Sequence, residues 1–204
     1  MSALAKNDLL PAWDDPVHDS QLTFRAVLKA LSEPGLIQTL FVDIQSPSPL
    51  FLSTTALCLA LADAETALWL DHDANSAALR AYLRFHCGCQ LVEDVRAADF
   101  VVITDPQQWD WKNALEKCAV GTMEYPDRSV TLFVQVTSLI DGPTRLLTGP
   151  GLAHQRRINV AGLPDDFDAM WQINTQGFPL GIDVVFCHGS SILGLPRTTN
   201  IASA

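Results

Sequence analysis

Two shortages restrict this sequence before any motif is considered. The first is of cations, because 13 lysine and arginine residues face 23 aspartate and glutamate residues and leave a formal charge of -10. Affinity for a phosphate backbone comes largely from clustered Lys and Arg that release counterions, so a nucleic-acid partner is not expected. The second is of long apolar runs. Stretches such as Ala56 to Ala62 are interrupted by Asp or flanked by turns, well short of the roughly 20 residues that span a bilayer, so no membrane partner is expected either. Met1 to Pro16 carries Asp8, Asp14 and Asp15 and nothing like the apolar core of a signal peptide, which points to a cytoplasmic protein.

The phosphate-cradling loops are missing too. Neither GxGxxG nor GxxxxGK(S/T) occurs, and Gly149-Pro150-Gly151 gives up one backbone N–H donor to proline. Cysteine is sparse and odd in number, with Cys58, Cys87, Cys89, Cys118 and Cys187 scattered except for one close pair. A chain of 204 residues can bury a core without disulfide staples, so reduced thiols are expected.

What the chain does have is apolar content, 48% against 18% charged residues, more than a free-standing soluble domain usually carries. Part of that surface is expected to be covered by another subunit. With no repeat and no linker longer than Ser46-Pro47-Ser48-Pro49, residues 1–204 read as one domain, with 1–17 as an N-terminal extension. A helix is predicted from about Asp19 to Leu31, capped by Asp19 or Ser20, with Phe24, Val27, Leu28 and Leu31 on its apolar face. Leu36 to Ile44 reads as a strand, and Ser53-Thr54-Thr55 as the cap of a buried helix through Ala62. Ala67 to Leu70 and Phe100 to Thr104 read as strands. Each is followed by a helix, one capped by Asp73 with Leu79, Tyr82, Leu83 and His86 on one face, the other begun by Asp105-Pro106. Ser129 to Val136 is the strongest strand, and Arg145 to Thr148 another. A helix carries Phe167, Met170, Trp171 and Asn174, and Ile182 to Cys187 joins Ile192 to Leu195 through a His188 to Ser191 hairpin turn. The sum is an α/β fold, a mixed β-sheet flanked by helices.

Residues that could carry chemistry are dispersed. His86, Cys87 and Cys89 are of zinc-ligand type, but a Cys-x-Cys pair without a second paired cluster reads as packing, and no metal is expected. Ser190 lies near His188 without a GxSxG elbow, so it reads as a turn serine, and no catalytic residue is assigned. Arginine can hold phosphate or carboxylate bidentately. In so acidic a chain the arginines are read first as partners of carboxylates or of helix ends, with phosphate binding by some of them as the alternative. The polar finish Leu195-Pro196-Arg197-Thr198-Thr199 reads as a solvated tail, with a subunit contact as the alternative.

A series of short segments adds a resemblance. In order they are Phe24-Arg25, Leu28 to Gly35, Leu61-Ala62-Asp63, Leu68-Trp69-Leu70, Leu83-Arg84-Phe85-His86 and Ala98-Asp99-Phe100. Gly121 to Ser129, Leu147 to Gly151, Phe178 to Asp183 and Leu195 to Thr199 complete it. From about residue 18 to residue 200 the chain resembles the PhnH family of carbon–phosphorus lyase subunits. It departs where the family usually reads Thr-Gly-Ala-Pro, for here Cys87-Gly88-Cys89-Gln90 replaces a rigid turn proline.

The resemblance implies a fold similar to the large domain of pyridoxal-phosphate aminotransferases but without the cofactor site, and hence no cofactor. It also implies a part in converting ATP and methylphosphonate to α-D-ribose 1-methylphosphonate 5-triphosphate with release of adenine, in an accessory or assembly role without a catalytic centre of its own. Other carbon–phosphorus lyase subunits are the implied partners, and a homodimer the implied state in isolation. The segments mark Arg25, Arg84, His86, Arg128, Arg145, Arg197 and Thr198 as ligand-binding candidates. A free-standing phosphonate- or nucleotide-binding protein with an arginine-lined site is the alternative.

Overall fold

The computed structural model describes residues 9–203. Helix α1 (Pro16–Ser32) starts earlier than the sequence suggests, because Asp15 accepts a hydrogen bond from the His18 N–H at 3.1 Å and Pro16 takes the first turn. Its buried face is also different. Thr23, Val27 and Ala30 are covered, while Phe24 and Leu28 of the predicted apolar stripe are 46% and 52% exposed. The strand beneath explains the rotation, since a Cβ on Gly194 would stand 2.4 Å from the Ala30 carbonyl oxygen. Only the small-residue face of α1 can approach so closely.

Strand β1 is only Gln38–Thr39, not the predicted Leu36 to Ile44. Its partner turns away at a hairpin, and the Leu40 N–H to Ser190 carbonyl bond (2.8 Å) is the last one available. In α2 (Leu52–Leu61) the Ser53-Thr54-Thr55 run lies inside the helix and is buried rather than capping it. The cap comes from a distant strand, where the Gln135 side-chain oxygen accepts from the Phe51 N–H (2.6 Å) and the Thr54 hydroxyl (2.8 Å).

Next come β2 (Ala67–Leu70), α3 (Ala77–His86), β3 (Gln90–Leu91) and β4 (Phe100–Ile103). Ser76, not Asp73, caps α3 through the Leu79 N–H. Asp105-Pro106 opens a turn rather than a helix, because the Asp105 carboxylate closes back on the Gln107 N–H (3.0 Å). Asp110 then starts a single 3-10 turn ahead of the short α4 (Ala114–Lys117). Strand β5 (Thr131–Gln135), β6 (Thr144–Thr148), β7 (Arg156–Asn159), α5 (Phe167–Gln176), β8 (Asp183–His188), β9 (Ser191–Leu195) and β10 (Asn200–Ser203) complete the chain.

Seven strands form one sheet in the order β1-β9-β8-β5-β4-β2-β3. Strands β3, β2, β4, β5 and β8 run parallel, and β9 is antiparallel to both β8 and β1. Both faces are covered, as a parallel sheet requires. Val101, Ile103, Leu132, Val134, Val184 and Phe186 pack on one side with Trp111 and Trp171, and Val102, Phe133, Val185 and Cys187 on the other with Leu57, Leu79 and Tyr82. The expected mixed sheet flanked by helices is therefore the architecture.

A second sheet, β10-β6-β7, is antiparallel and was not foreseen beyond β6. It corrects the reading of the C-terminus as a solvated tail. Thr199 is fully buried, its carbonyl accepts from the Trp171 indole N–H at 2.8 Å, and Asn200–Ser203 pair with Arg145–Thr148.

Candidate functional site at the carboxyl edge of the sheet

The seven residues marked from the sequence occupy different parts of the molecule. Arg25 is exposed on α1, and Arg84 is exposed in the last turn of α3. His86 closes the same turn, its Nε2 lying 3.0 Å from the Leu10 carbonyl and its ring against Tyr82 and Phe85. Arg145 is buried on β6, donates to Asp168 at 2.6 Å and to the Val160 carbonyl at 3.1 Å, and so ties the small sheet to α5.

Arg197 is a hub rather than an open ligand group. Its backbone and guanidinium both bond Asp183, at 2.7 Å and 2.5 Å, and further N–H groups reach the Ser129 hydroxyl and the Pro126 carbonyl. The bonds to Pro126 and Ser129 bring Arg197 to the segment that carries Arg128. The Arg128 guanidinium is exposed and lies 4.4 Å from the Tyr125 ring centroid. Thr198 is half-buried beside Arg197. Among the seven, then, Arg128, Arg197 and Thr198 share a neighbourhood and the other four stand apart.

Cys58, Cys89, Cys118 and Cys187 are buried and Cys87 is half-buried. Cys87 donates to the Cys58 carbonyl at 3.5 Å. Burial raises Cys58 strongly and pushes Cys187 to about 12 and Cys118 to about 11. No group of three His, Cys, Asp or Glu among the described residues could hold a metal ion. Ser190 lies in the β8–β9 turn, as expected, while His188 Nδ1 meets the Val136 carbonyl at 3.0 Å.

A concavity lies elsewhere, and topology explains it. After β2 the chain runs through α3 to β3 on one flank. After β4, which pairs with the other side of β2, it continues to β5 on the opposite flank. Leu79 and Leu83 of α3 join the core on one face of the sheet, and Trp111 and Ala114 join the core on the other. Two neighbouring parallel strands whose connections diverge leave a crevice at their carboxyl ends, where ligands of open α/β sheets bind. Here it is a cavity of about 540 Å³ lined by Trp69, Asp71, His72, Asp73, Ile103, Asp105, Gln108 and Trp109.

Asp71 holds the two loops together by accepting the Ala74 N–H (3.0 Å), the Thr104 N–H (2.5 Å), the Thr104 hydroxyl (2.9 Å) and the Asp105 N–H (3.2 Å). Trp69 is anchored by its indole N–H on the Glu93 carbonyl (3.2 Å) and meets Trp109 edge to face at 5.3 Å between centroids. Sequence reasoning missed this site because it assigned Asp73 and Asp105 as helix caps. The usable signal was positional: Asp71-His72-Asp73 and Thr104-Asp105 each follow directly on an apolar β run.

Comparison with known proteins places residues 11–202. Residues 11–202 match the family model described as bacterial phosphonate metabolism protein (PhnH). The chain belongs to the PhnH family. Among its curated relatives it is 33% identical, over 190 residues covering 93% of this chain and 94% of the relative, to the alpha-D-ribose 1-methylphosphonate 5-triphosphate synthase subunit PhnH of Rhizobium meliloti (strain 1021). It is 30% identical, over 194 residues covering 93% of this chain and 88% of the relative, to the putative C-P lyase subunit protein HtxG of Stutzerimonas stutzeri. The PhnH match takes in all the ligand candidates named above and the whole crevice between β2 and β4.

Proposed function

We infer that this PhnH-family chain is a subunit of the carbon–phosphorus lyase system. Its part would be to assist formation of α-D-ribose 1-methylphosphonate 5-triphosphate from ATP and methylphosphonate, with release of adenine. The observation that carries this reading is the near end-to-end match, at 33% identity, to a protein named as a subunit of that synthase. The role is accessory: the chain helps assemble the complex and supplies no catalytic centre.

The surface supports assembly. Val17, Phe24 and Leu28 leave an exposed apolar stripe along α1, the kind of patch that marks an interaction surface, and Phe41 is 86% exposed beyond β1. The other subunits of the system are the partners we assign to it, with a homodimer in isolation and the cytoplasm as its place. No helix among the described residues is long and apolar enough to cross a membrane. The sheet order β3-β2-β4-β5-β8-β9-β1, with one antiparallel strand, supports kinship with the aminotransferase large domain. Fold kinship carries no transaminase activity with it, and Lys29 and Lys117 are engaged by Glu33 and Asp110.

The deciding experiment is an affinity pull-down of the chain from cells grown on methylphosphonate as sole phosphorus source, followed by native mass spectrometry. Partners of fixed stoichiometry are expected. Recovery of the chain alone would overturn the subunit reading, and synthesis of the ribosyl phosphonate by the purified chain alone would overturn the accessory role.

A further inference from the structure

We propose that the crevice between β2 and β4 is a binding site for a small organic cation, an amine or amidine carried on an apolar or aromatic body. This inference stands on the chain by itself and does not depend on the assembly reading.

The charge in the crevice is uncompensated. Asp71, Asp73 and Asp105 line it together, the one basic side chain beside them is His72, no Lys or Arg lines it, and none of the ion pairs formed among the described residues involves any of the three carboxylates. Asp71 is occupied by N–H and O–H donors from both loops, which leaves its charge in place but fixes it structurally. Asp105 uses one carboxylate oxygen on the Gln107 N–H (3.0 Å) and keeps the other, and Asp73 is exposed at the mouth. The nearby Arg80 is held back by Asn75 and Glu93 at 2.8 Å and 3.0 Å. Such a field repels phosphate, phosphonate and nucleotide polyphosphate, and attracts cations.

The carboxylates alone would describe only an acidic patch. What makes the crevice selective is the cavity, of about 540 Å³, walled by the indoles of Trp69 and Trp109. Trp is the strongest of the aromatic cation receptors, and an anchored ring needs no ordering when the ligand arrives. Gln108 adds an amide at the rim that can orient the ligand. A bare metal ion would find no preformed group of three ligands here and could not use the indoles.

Benzamidinium and its neutral isostere benzamide separate charge from shape. Isothermal titration of the isolated chain is expected to show saturable benzamidinium binding at least roughly tenfold tighter than benzamide, corresponding to one decade in Kd. The double variant Asp73→Asn/Asp105→Asn is expected to raise the benzamidinium Kd by roughly tenfold while the unfolding midpoint stays put, since neither residue is buried. Trp69→Leu is expected to weaken both probes. Equal affinity for the two probes, no saturable binding of either, or displacement of benzamidinium by methylphosphonate would overturn the proposal. Repeating the titration on the chain co-purified with its partners distinguishes the source of the cation. Loss of the site there means that a partner's Lys or Arg fills it, and retention means that a free amine does.

Discussion

Gly194 of β9 and Ala30 of α1 meet so closely that no side chain fits between them: a Cβ on Gly194 would come within 2.4 Å of the Ala30 carbonyl oxygen and 2.9 Å of the Leu31 nitrogen. Backbone cannot yield as the end of a flexible side chain does. Gly194→Ala should therefore push α1 off the sheet and lower stability by about 2–3 kcal/mol, the cost of overpacking. Urea denaturation followed by circular dichroism checks this, and a loss under about 0.5 kcal/mol, the scale of a neutral surface change, would show that α1 is not held by this contact.

Gln135 links the middle of the sheet to the first turn of α2. It accepts from the Phe51 N–H and the Thr54 hydroxyl and donates to the Pro49 carbonyl at 3.1 Å. Gln135→Leu keeps similar bulk but leaves buried polar groups without partners, so a loss of about 2–4 kcal/mol is expected. The accompanying local signature would be faster amide exchange at Phe51 with the β5 core unchanged, measurable by hydrogen exchange mass spectrometry.

How much of this was legible in the sequence depends on where each residue's partner lies. The apolar runs Ala67 to Leu70, Phe100 to Thr104 and Ile182 to Cys187 reflect burial within a sheet covered on both faces, and they gave the strands to within a residue or two. The stripe of α1 misled because its rotation is set by Gly194, more than 160 residues away, and not by its own hydrophobicity. The cap of α2 misled for the same reason, since Gln135, 84 residues from Phe51, does the work expected of Ser53, whereas α3 misled locally, because Ser76 and not Asp73 accepts from the Leu79 N–H. As for the site, arginine chemistry drew attention to Arg145 and Arg197, whose partners Asp168 and Asp183 are remote in sequence. The cavity needed the strand order, which no local pattern encodes.

The pair of Arg197 and Asp183 is largely buried, with 12% and 20% of the side chains exposed. Removing one member strands the other charge, so Arg197→Met should cost about 3 kcal/mol or more. The double variant Arg197→Met/Asp183→Leu should recover a substantial part of that loss. A double-mutant cycle in urea measures the coupling, and coupling near zero would mean that the Ser129 and Pro126 contacts, not the ion pair, hold the segment.

Buried thiols give the fold a pH limit on the alkaline side. Burial raises Cys187 from 9.0 to about 12 and Cys118 from 9.0 to about 11, and it raises Tyr82 from 10.0 to about 12. In the unfolded chain these groups ionise near their ordinary values, while in the folded chain they stay protonated. The unfolded state then binds fewer protons, and stability falls as pH rises. Their contribution is fully present below pH 9.0 and is lost progressively as pH rises through about 11 for Cys118 and about 12 for Cys187. Each group adds a slope of about 1.4 kcal/mol per pH unit at most within its window. The urea midpoint should be flat between pH 7 and 8.5 and decline above 9, more gently in Cys187→Ser, whose hydroxyl does not titrate there. An equal decline in Cys187→Ser and the parent chain would assign the alkaline limit to other groups and show that Cys187 ionises as readily folded as unfolded.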